Sequence, residues 1–263
     1  MTISNNLEPF LHETEYCDFN HKEIKGLAYN LTKDAKNDRE KAVVLFYWVR
    51  DNILYRVGYW NKKASETLRE RKGVCTSKNN LLISMLRAIR IPAGYGIMRV
   101  DGRKYFGIIV PDFLKNKISK NSIHVYSFVY LDNKWLKCDP SDDAMFSENT
   151  AHLNPQSKLV DWDGKNHATL NLHPDHILKD IGPINNIDAI IEKKPKTATK
   201  NIVEMGNLYI EFLRENGKRI DSISEIPKAF RSWIKKRHTY FYFIFQLVSF
   251  WQNIKSKLGI IKY

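Results

Sequence analysis

Three residues of this chain carry chemistry that none of them can run alone: Cys75, His124 and Asp139. A thiol attacks as its thiolate, and an imidazole can take the thiol proton near neutral pH. A carboxylate on the other ring nitrogen fixes the tautomer and supports the imidazolium. Taken singly, each residue has a plainer reading: Cys75 as a small buried side chain, His124 as a satisfied core histidine, Asp139 as a turn former before Pro140. Together they point to acyl transfer through a thioester.

The elements around them say whether they can meet. The run Ile123–Leu131 is rich in β-formers, Asp132-Asn133 is a turn pair, and Lys134–Asp139 returns, so the segment reads as a hairpin. With Asp132-Asn133 at its centre, Leu131 faces Lys134 and Tyr130 faces Trp135; extending the ladder sets Tyr126 opposite Asp139. His124 lies two residues further on the same face, diagonal to Asp139 at about 7 Å between backbones, a gap that the two side chains close. Cys138 then points to the opposite face and reads as packing, not as a second nucleophile. Cys75 follows Gly73-Val74 and opens a periodic run through Leu82, Met85, Leu86 and Ile89. That placement is a helix N-terminus, where the dipole favours a thiolate and unpaired N–H groups face a developing oxyanion.

Upstream, Ala42, Leu45, Phe46, Val49 and Ile53 recur at helical spacing, so Leu27–Val57 reads as one long amphipathic helix with Asp38 as N-cap. Ile91-Pro92-Ala93-Gly94 stops the Cys75 helix; Tyr95–Val100 and Tyr105–Val110 read as short strands joined at Asp101-Gly102. Beyond Pro140 the chain becomes loop-rich, with Pro155, Pro174 and Pro183, up to a polar linker-like stretch at 193–200, and from Asn201 it is helical in pattern. The expected organisation is a helical lead-in over 1–37, a catalytic core over 38–146, a loop-rich extension over 147–200 and a helical region over 201–263.

A chain of 263 residues with 43% hydrophobic and 12% aromatic residues can bury a full core. Three cysteines do not make a disulfide framework, and Met1-Thr-Ile-Ser-Asn-Asn lacks the basic start of an export signal, so a cytoplasmic setting is expected. The formal charge of +13 attracts anionic surfaces, but the excess is mostly Lys and no nucleic-acid-binding motif accompanies it, so nucleic acid is not the expected partner.

Gly73-Val-Cys-Thr-Ser-Lys-Asn-Asn-Leu-Leu-Ile-Ser-Met-Leu-Arg-Ala-Ile-Arg-Ile-Pro-Ala-Gly94 resembles the nucleophile helix of transglutaminase-like proteins of the bacterial and archaeal type. Ile123-His-Val-Tyr126, Tyr130-Leu-Asp-Asn-Lys-Trp135 and Asp139-Pro-Ser141 are similar to that family's His strand, hairpin and Asp strand, in the same order. The resemblance covers about residues 40 to 145. It implies an α+β, papain-like core in which the helix bearing the nucleophile packs on an antiparallel sheet, with a triad of Cys75, His124 and Asp139; the helical C-terminal region is an extension of it. It also implies an aromatic oxyanion donor before the cysteine, for which Trp60 or Tyr59 stands in position, with packing as the alternative role. Asn79 departs from the family's usual small residue. Family analogy favours hydrolysis of an amide or peptide bond in a peptide or protein substrate; amine-accepting transglutamination, acyl transfer from a thioester donor, and a non-catalytic scaffold remain open.

No cofactor is implied, and no Asp/Glu-rich loop suggests calcium. His167, His173, Asp175 and His176 match no metal-site spacing, so no metal is expected. The aromatic run His238–Trp251, flanked by Lys235-Lys-Arg237, Lys255 and Lys257, is too short and too interrupted to span a membrane. Residues 229–260 read either as a helix that packs on the core or a protein partner, or as an interfacial helix at a membrane surface.

Overall fold

The computed structural model describes residues 6–106, 109–110, 118–154, 158–193, 199–243 and 246. At its centre lies helix α4 (Cys75–Ala88), in which every residue from Thr76 to Ala88 is buried. Three helices surround it: α1 (Lys22–Thr32), α2 (Asp38–Asn52) and α3 (Ala64–Glu70). The expected single helix over Leu27–Val57 is two helices. Asn37, not Asp38, caps the second, its side chain accepting from Glu40 N, because an extended residue there can satisfy an N–H that the first turn leaves open.

On the other side α4 packs on an antiparallel sheet of β3 (Ala93–Val100), β4 (Ser122–Leu131), β5 (Lys134–Cys138) and β6 (Ile177–Ile184), in the order β5-β4-β3-β6. The β4–β5 register runs from Leu131↔Lys134 to Ser127↔Cys138, as the hairpin turn dictates. Asp132 and Asn133 both have positive φ (48 and 62), the conformation that a two-residue turn of this hand needs and that Asp and Asn tolerate. Gly96 lies opposite Tyr126 in the β3–β4 ladder, where any Cβ would collide with the phenol ring.

Two sheet expectations are corrected. The strand expected over Tyr105–Val110 does not start at Tyr105: Gly102–Phe106 is the short helix α5, and β3 pairs with β4 and β6. Gly107 and Ile108 of that expected strand lie outside the described residues. Asp101 bonds the N–H groups of Arg103 and Lys104 through Oδ1, which favours a helical turn over a hairpin. The loop-rich extension also contributes a strand, β6. Its residues are mostly exposed, so it lacks the alternation that marks a half-buried strand, and its Pro183 is acceptable because β6 is an edge.

The main core joins Ile24 and Ala28 of α1, Leu45, Phe46 and Val49 of α2, Leu68 of α3, Leu82, Met85 and Leu86 of α4, and Tyr95, Val125, Val129 and Leu136 of the sheet. Each of the larger aliphatic side chains and Phe46 contributes about 1.5–3 kcal/mol on burial, which is why α4 sits where it does. A second core forms between α6 (Ala144–Thr150), α8 (Lys200–Asn216) and α9 (Ile226–Arg237), centred on Leu208, Tyr209, Phe212, Phe230 and Ile234. Between α6 and α8 in sequence lies α7 (Asp188–Lys193). The buried pair Arg214–Asp143 (2.8 Å) joins α8 to the start of α6.

Residues 239–243 are helical; Phe241 and Tyr242 pack against the second core, while Tyr240 and Phe243 are exposed. The remainder of the 229–260 surface, residue 246 apart, lies outside the described residues. Among the described residues, no helix is long and apolar enough to cross a membrane, and no group of three His, Cys, Asp or Glu is placed to hold a metal ion.

Candidate active site

The segment before Cys75 is locked by its neighbours. Short parallel strands β1 (Leu54–Tyr55) and β2 (Lys72–Gly73) pair through Leu54 N→Arg71 O (2.9 Å) and Arg56 N→Gly73 O (3.0 Å). Gly73 is required there, since a Cβ would meet Ser77 Cβ at 2.6 Å. Val74 is extended and Lys78 N→Val74 O (3.0 Å) is the first helical bond, so Cys75 is the first residue of α4 and the N–H groups of its opening turn have no acceptor within the helix.

His124 and Asp139 meet as the diagonal hairpin geometry expects: His124 Nε2 lies 2.6 Å from Asp139 Oδ2. Nδ1 is the ring nitrogen left over, and His124 and Cys75 lie close enough for each to shift the other's ionisation. The structure thus brings all three sequence-derived residues together. The ladder itself stops at Ser127↔Cys138, and Asp139 is held beyond the strand end by Ser141, whose N–H (3.1 Å) and hydroxyl both donate to Oδ1.

The electrostatics follow from this packing. Burial pushes the Asp139 carboxyl up, but the charge and bond of His124, with the Ser141 and Asn79 bonds, outweigh it and hold the group below its ordinary value. Burial disfavours a charged His124, yet Asp139 and Cys75 raise its pKa well above that of free imidazole. For Cys75 burial again opposes ionisation; the His124 bond and charge and the Val125 N–H overcome it, and the thiol pKa falls. Cys17 and Cys138, fully buried, go the other way because desolvation dominates. The half-buried Cys75 is therefore the one thiol of the three that the fold biases toward thiolate.

Of the two aromatic residues expected as donors, Tyr59 is 39% exposed and Trp60 packs at the margin of the main core. Cys75 also acts on the hydroxyl of Tyr55, which is held neutral first by burial and then by the charges of Cys75 and Asp142. Its backbone pairs with Gly73, two residues before Cys75. A two-residue parallel bridge leaves no periodic signal, so sequence pattern does not find it.

Asn79 is more than a departure from the family pattern. Fully buried on α4, its Nδ2 lies within bonding distance of Cys75 O (3.0 Å), Val125 O (2.9 Å), Ser141 Oγ (2.9 Å) and Asp139 Oδ1 (3.4 Å), and its Oδ1 accepts from Ser127 Oγ (2.7 Å). It ties the helix, β4 and the Asp139 loop into one unit. Lys78, also buried, donates to Arg50 O (3.2 Å), Ile53 O (2.5 Å) and Asp142 O (2.8 Å); burial pushes its pKa down to about 8.

Residues 25–140 match the model of the transglutaminase-like superfamily. Among curated proteins none matches the chain. Among solved structures, a "Putative Cysteine Protease" from Cytophaga hutchinsonii is 25% identical with a TM-score of 0.42, over 53% of this chain and 43% of that one. A "putative protease" from Parabacteroides distasonis is 18% identical with a TM-score of 0.35, over 52% of this chain and 25% of that one. The chain therefore spans less than half the length of either. The fold is mixed helix and sheet, and the segment that is similar to the transglutaminase-like superfamily, 25–140, holds Cys75, His124 and Asp139.

Proposed function

We propose that the protein is a thiol hydrolase that cleaves an amide or peptide bond through a Cys75 thioester. His124 takes the thiol proton through Nδ1; the Cys75 thiolate attacks the carbonyl carbon, and the tetrahedral oxyanion faces the N–H groups that open α4. Collapse forms the thioester as His124 returns its proton to the leaving amine, and water, activated by the same imidazole, then releases the acid. Asp139 stays ionised throughout and holds His124 in position.

The observation that carries this reading is the 2.6 Å bond from His124 Nε2 to Asp139 Oδ2, with the imidazole near enough to Cys75, the first residue of α4, to favour its thiolate. Neither a structural histidine nor a turn aspartate requires that conjunction. Cleavage is favoured over transfer to an amine by family analogy, and the substrate is a peptide or protein.

Alkylation with iodoacetamide tests the activated thiol. Cys75 should label faster than Cys17 and Cys138, and His124→Ala should slow it. Equal rates at the three thiols, or an unchanged rate in His124→Ala, would refute it. A peptide library incubated with wild type and with Cys75→Ala, with and without a primary amine, reads the reaction: free acid products mean hydrolysis, amine adducts mean transfer.

A further inference from the structure

Charge is not spread evenly along this chain. Residues 226–263 contain eight Lys or Arg and no Asp or Glu, so more than half of the formal +13 lies in that one segment. The same segment holds ten aromatic residues.

Its described part shows how the two kinds are arranged. Helix α9 buries Ile226, Phe230 and Ile234 in the second core, one residue per turn, and its other sides carry Lys228, Arg231, Lys235 and Lys236, all exposed. Arg237 is held by Glu215 (2.6 Å), but among the described residues no ion pair joins Lys228, Lys235 or Lys236 to an acid. In the turn that follows, Phe241 and Tyr242 pack inward, whereas Tyr240 (67%) and Phe243 (61%) are the most exposed large hydrophobic side chains among the described residues. Lys235 Nζ lies 5.8 Å from the centre of the Tyr242 ring, so the basic side of α9 runs up to this aromatic turn. The sequence carries the pattern onward with Phe245, Leu247, Phe250 and Trp251, then Lys255 and Lys257.

A solvated cationic face needs no exposed Phe, and a helix that only covers a core has no reason to exclude acids. Both features fit a surface that is anionic on the outside and apolar just beneath. Headgroup phosphates take the lysines, the headgroup boundary takes the Tyr240 phenol, and the acyl layer takes the Phe243 ring. A nucleic-acid backbone would use the cations but leave Phe243 in water. We propose that the segment beginning at α9 is an interaction surface for an anionic lipid bilayer, on which the protein lies without crossing it. This surface depends on neither Cys75 nor its chemistry.

Co-sedimentation of the full chain with phosphatidylcholine vesicles holding about 30% phosphatidylglycerol, against vesicles of phosphatidylcholine alone, tests it. The protein should pellet with the first and stay in the supernatant with the second, and its affinity should fall at least about tenfold between roughly 0.1 and 0.5 M salt. Lys235→Gln with Lys236→Gln should weaken binding about thirtyfold, because two headgroup contacts are lost. Tyr240→Ser with Phe243→Ser should weaken it by at least about tenfold. All four side chains are exposed, so both variants should keep the wild-type Tm. The proposal is overturned if neither vesicle binds, if both bind equally, or if either variant binds as wild type does. Tighter binding to a duplex oligonucleotide at the same ionic strength, or a dimer that Tyr240→Ser with Phe243→Ser abolishes, would give the surface to nucleic acid or to a second copy and would overturn it too.

Discussion

Replacing Asn79 by Ala should cost this protein both stability and reactivity. The two N–H groups of the side chain can serve two acceptors at full strength, and the shortest contacts are Val125 O and Ser141 Oγ, both at 2.9 Å. Cys75 O keeps its helical partner, and Ser141 stays bonded to Asp139. The groups left worst off are Val125 O, which loses its side-chain donor, and the Ser127 hydroxyl, which keeps only a 3.5 Å bond to Asn79 O. At about 1–3 kcal/mol for an abandoned buried group, with Val125 O bearing the full loss and Ser127 part of it, Asn79→Ala should cost about 2–4 kcal/mol. For a chain of this size that lowers Tm by roughly 10 °C. Urea unfolding of wild type, Asn79→Ala, Ser127→Ala and the double variant gives the coupling directly. Because the double variant removes both partners of the 2.7 Å bond, it should cost less than the sum of the singles by at least about 1 kcal/mol. Asp139 also loses a donor, so iodoacetamide labelling of Cys75 should slow. A cost for Asn79→Ala below about 1 kcal/mol, or strict additivity with Ser127→Ala, would refute the view that Asn79 joins α4, β4 and the Asp139 loop.

The pH dependence of alkylation should show a Cys75 midpoint below the ordinary thiol value of 9.0, belonging to the coupled Cys75–His124 pair, and His124→Ala should move it upward because burial then dominates; an unmoved midpoint would sink this. Asp139, lowered from 3.8, stabilises the fold above that value and loses its contribution as pH falls through the lower folded pKa. His124, raised well above 6.5, contributes fully below 6.5 and loses its contribution as pH rises through its folded pKa. The advantage of wild type over Asp139→Asn in unfolding free energy should therefore be greatest in between and shrink in acid below 3.8; a gap that stays constant through that acid range would contradict the assignment. Arg214→Ala strips the cationic partner from Asp143, which is 1% exposed and keeps only N–H donors, and should cost about 3 kcal/mol in thermal unfolding, a figure that a loss under about 1 kcal/mol would disprove.

The chain's own pattern determined what is local. A two-residue turn of Asp132-Asn133 fixes the β4–β5 register by backbone geometry alone, and that register carries His124 and Asp139 to one place. Gly73 and the periodic run after Cys75 mark a helix start whatever packs around it. The same reasoning merged α1 with α2, because helical spacing continues across the break at 33–37, and began a strand at Tyr105 where an Asp101 side chain closes a helical turn instead. Only the tertiary structure decided the rest. Tyr55 reaches the site through a parallel bridge between segments that are not neighbours in the chain, Leu54 pairing with Lys72 and Tyr55 with Gly73. Asn79 becomes a hub because chain segments far apart in sequence close on it from several sides. Hydrogen-bond satisfaction in a packed interior depends on every neighbour at once, and no periodicity in the chain records it.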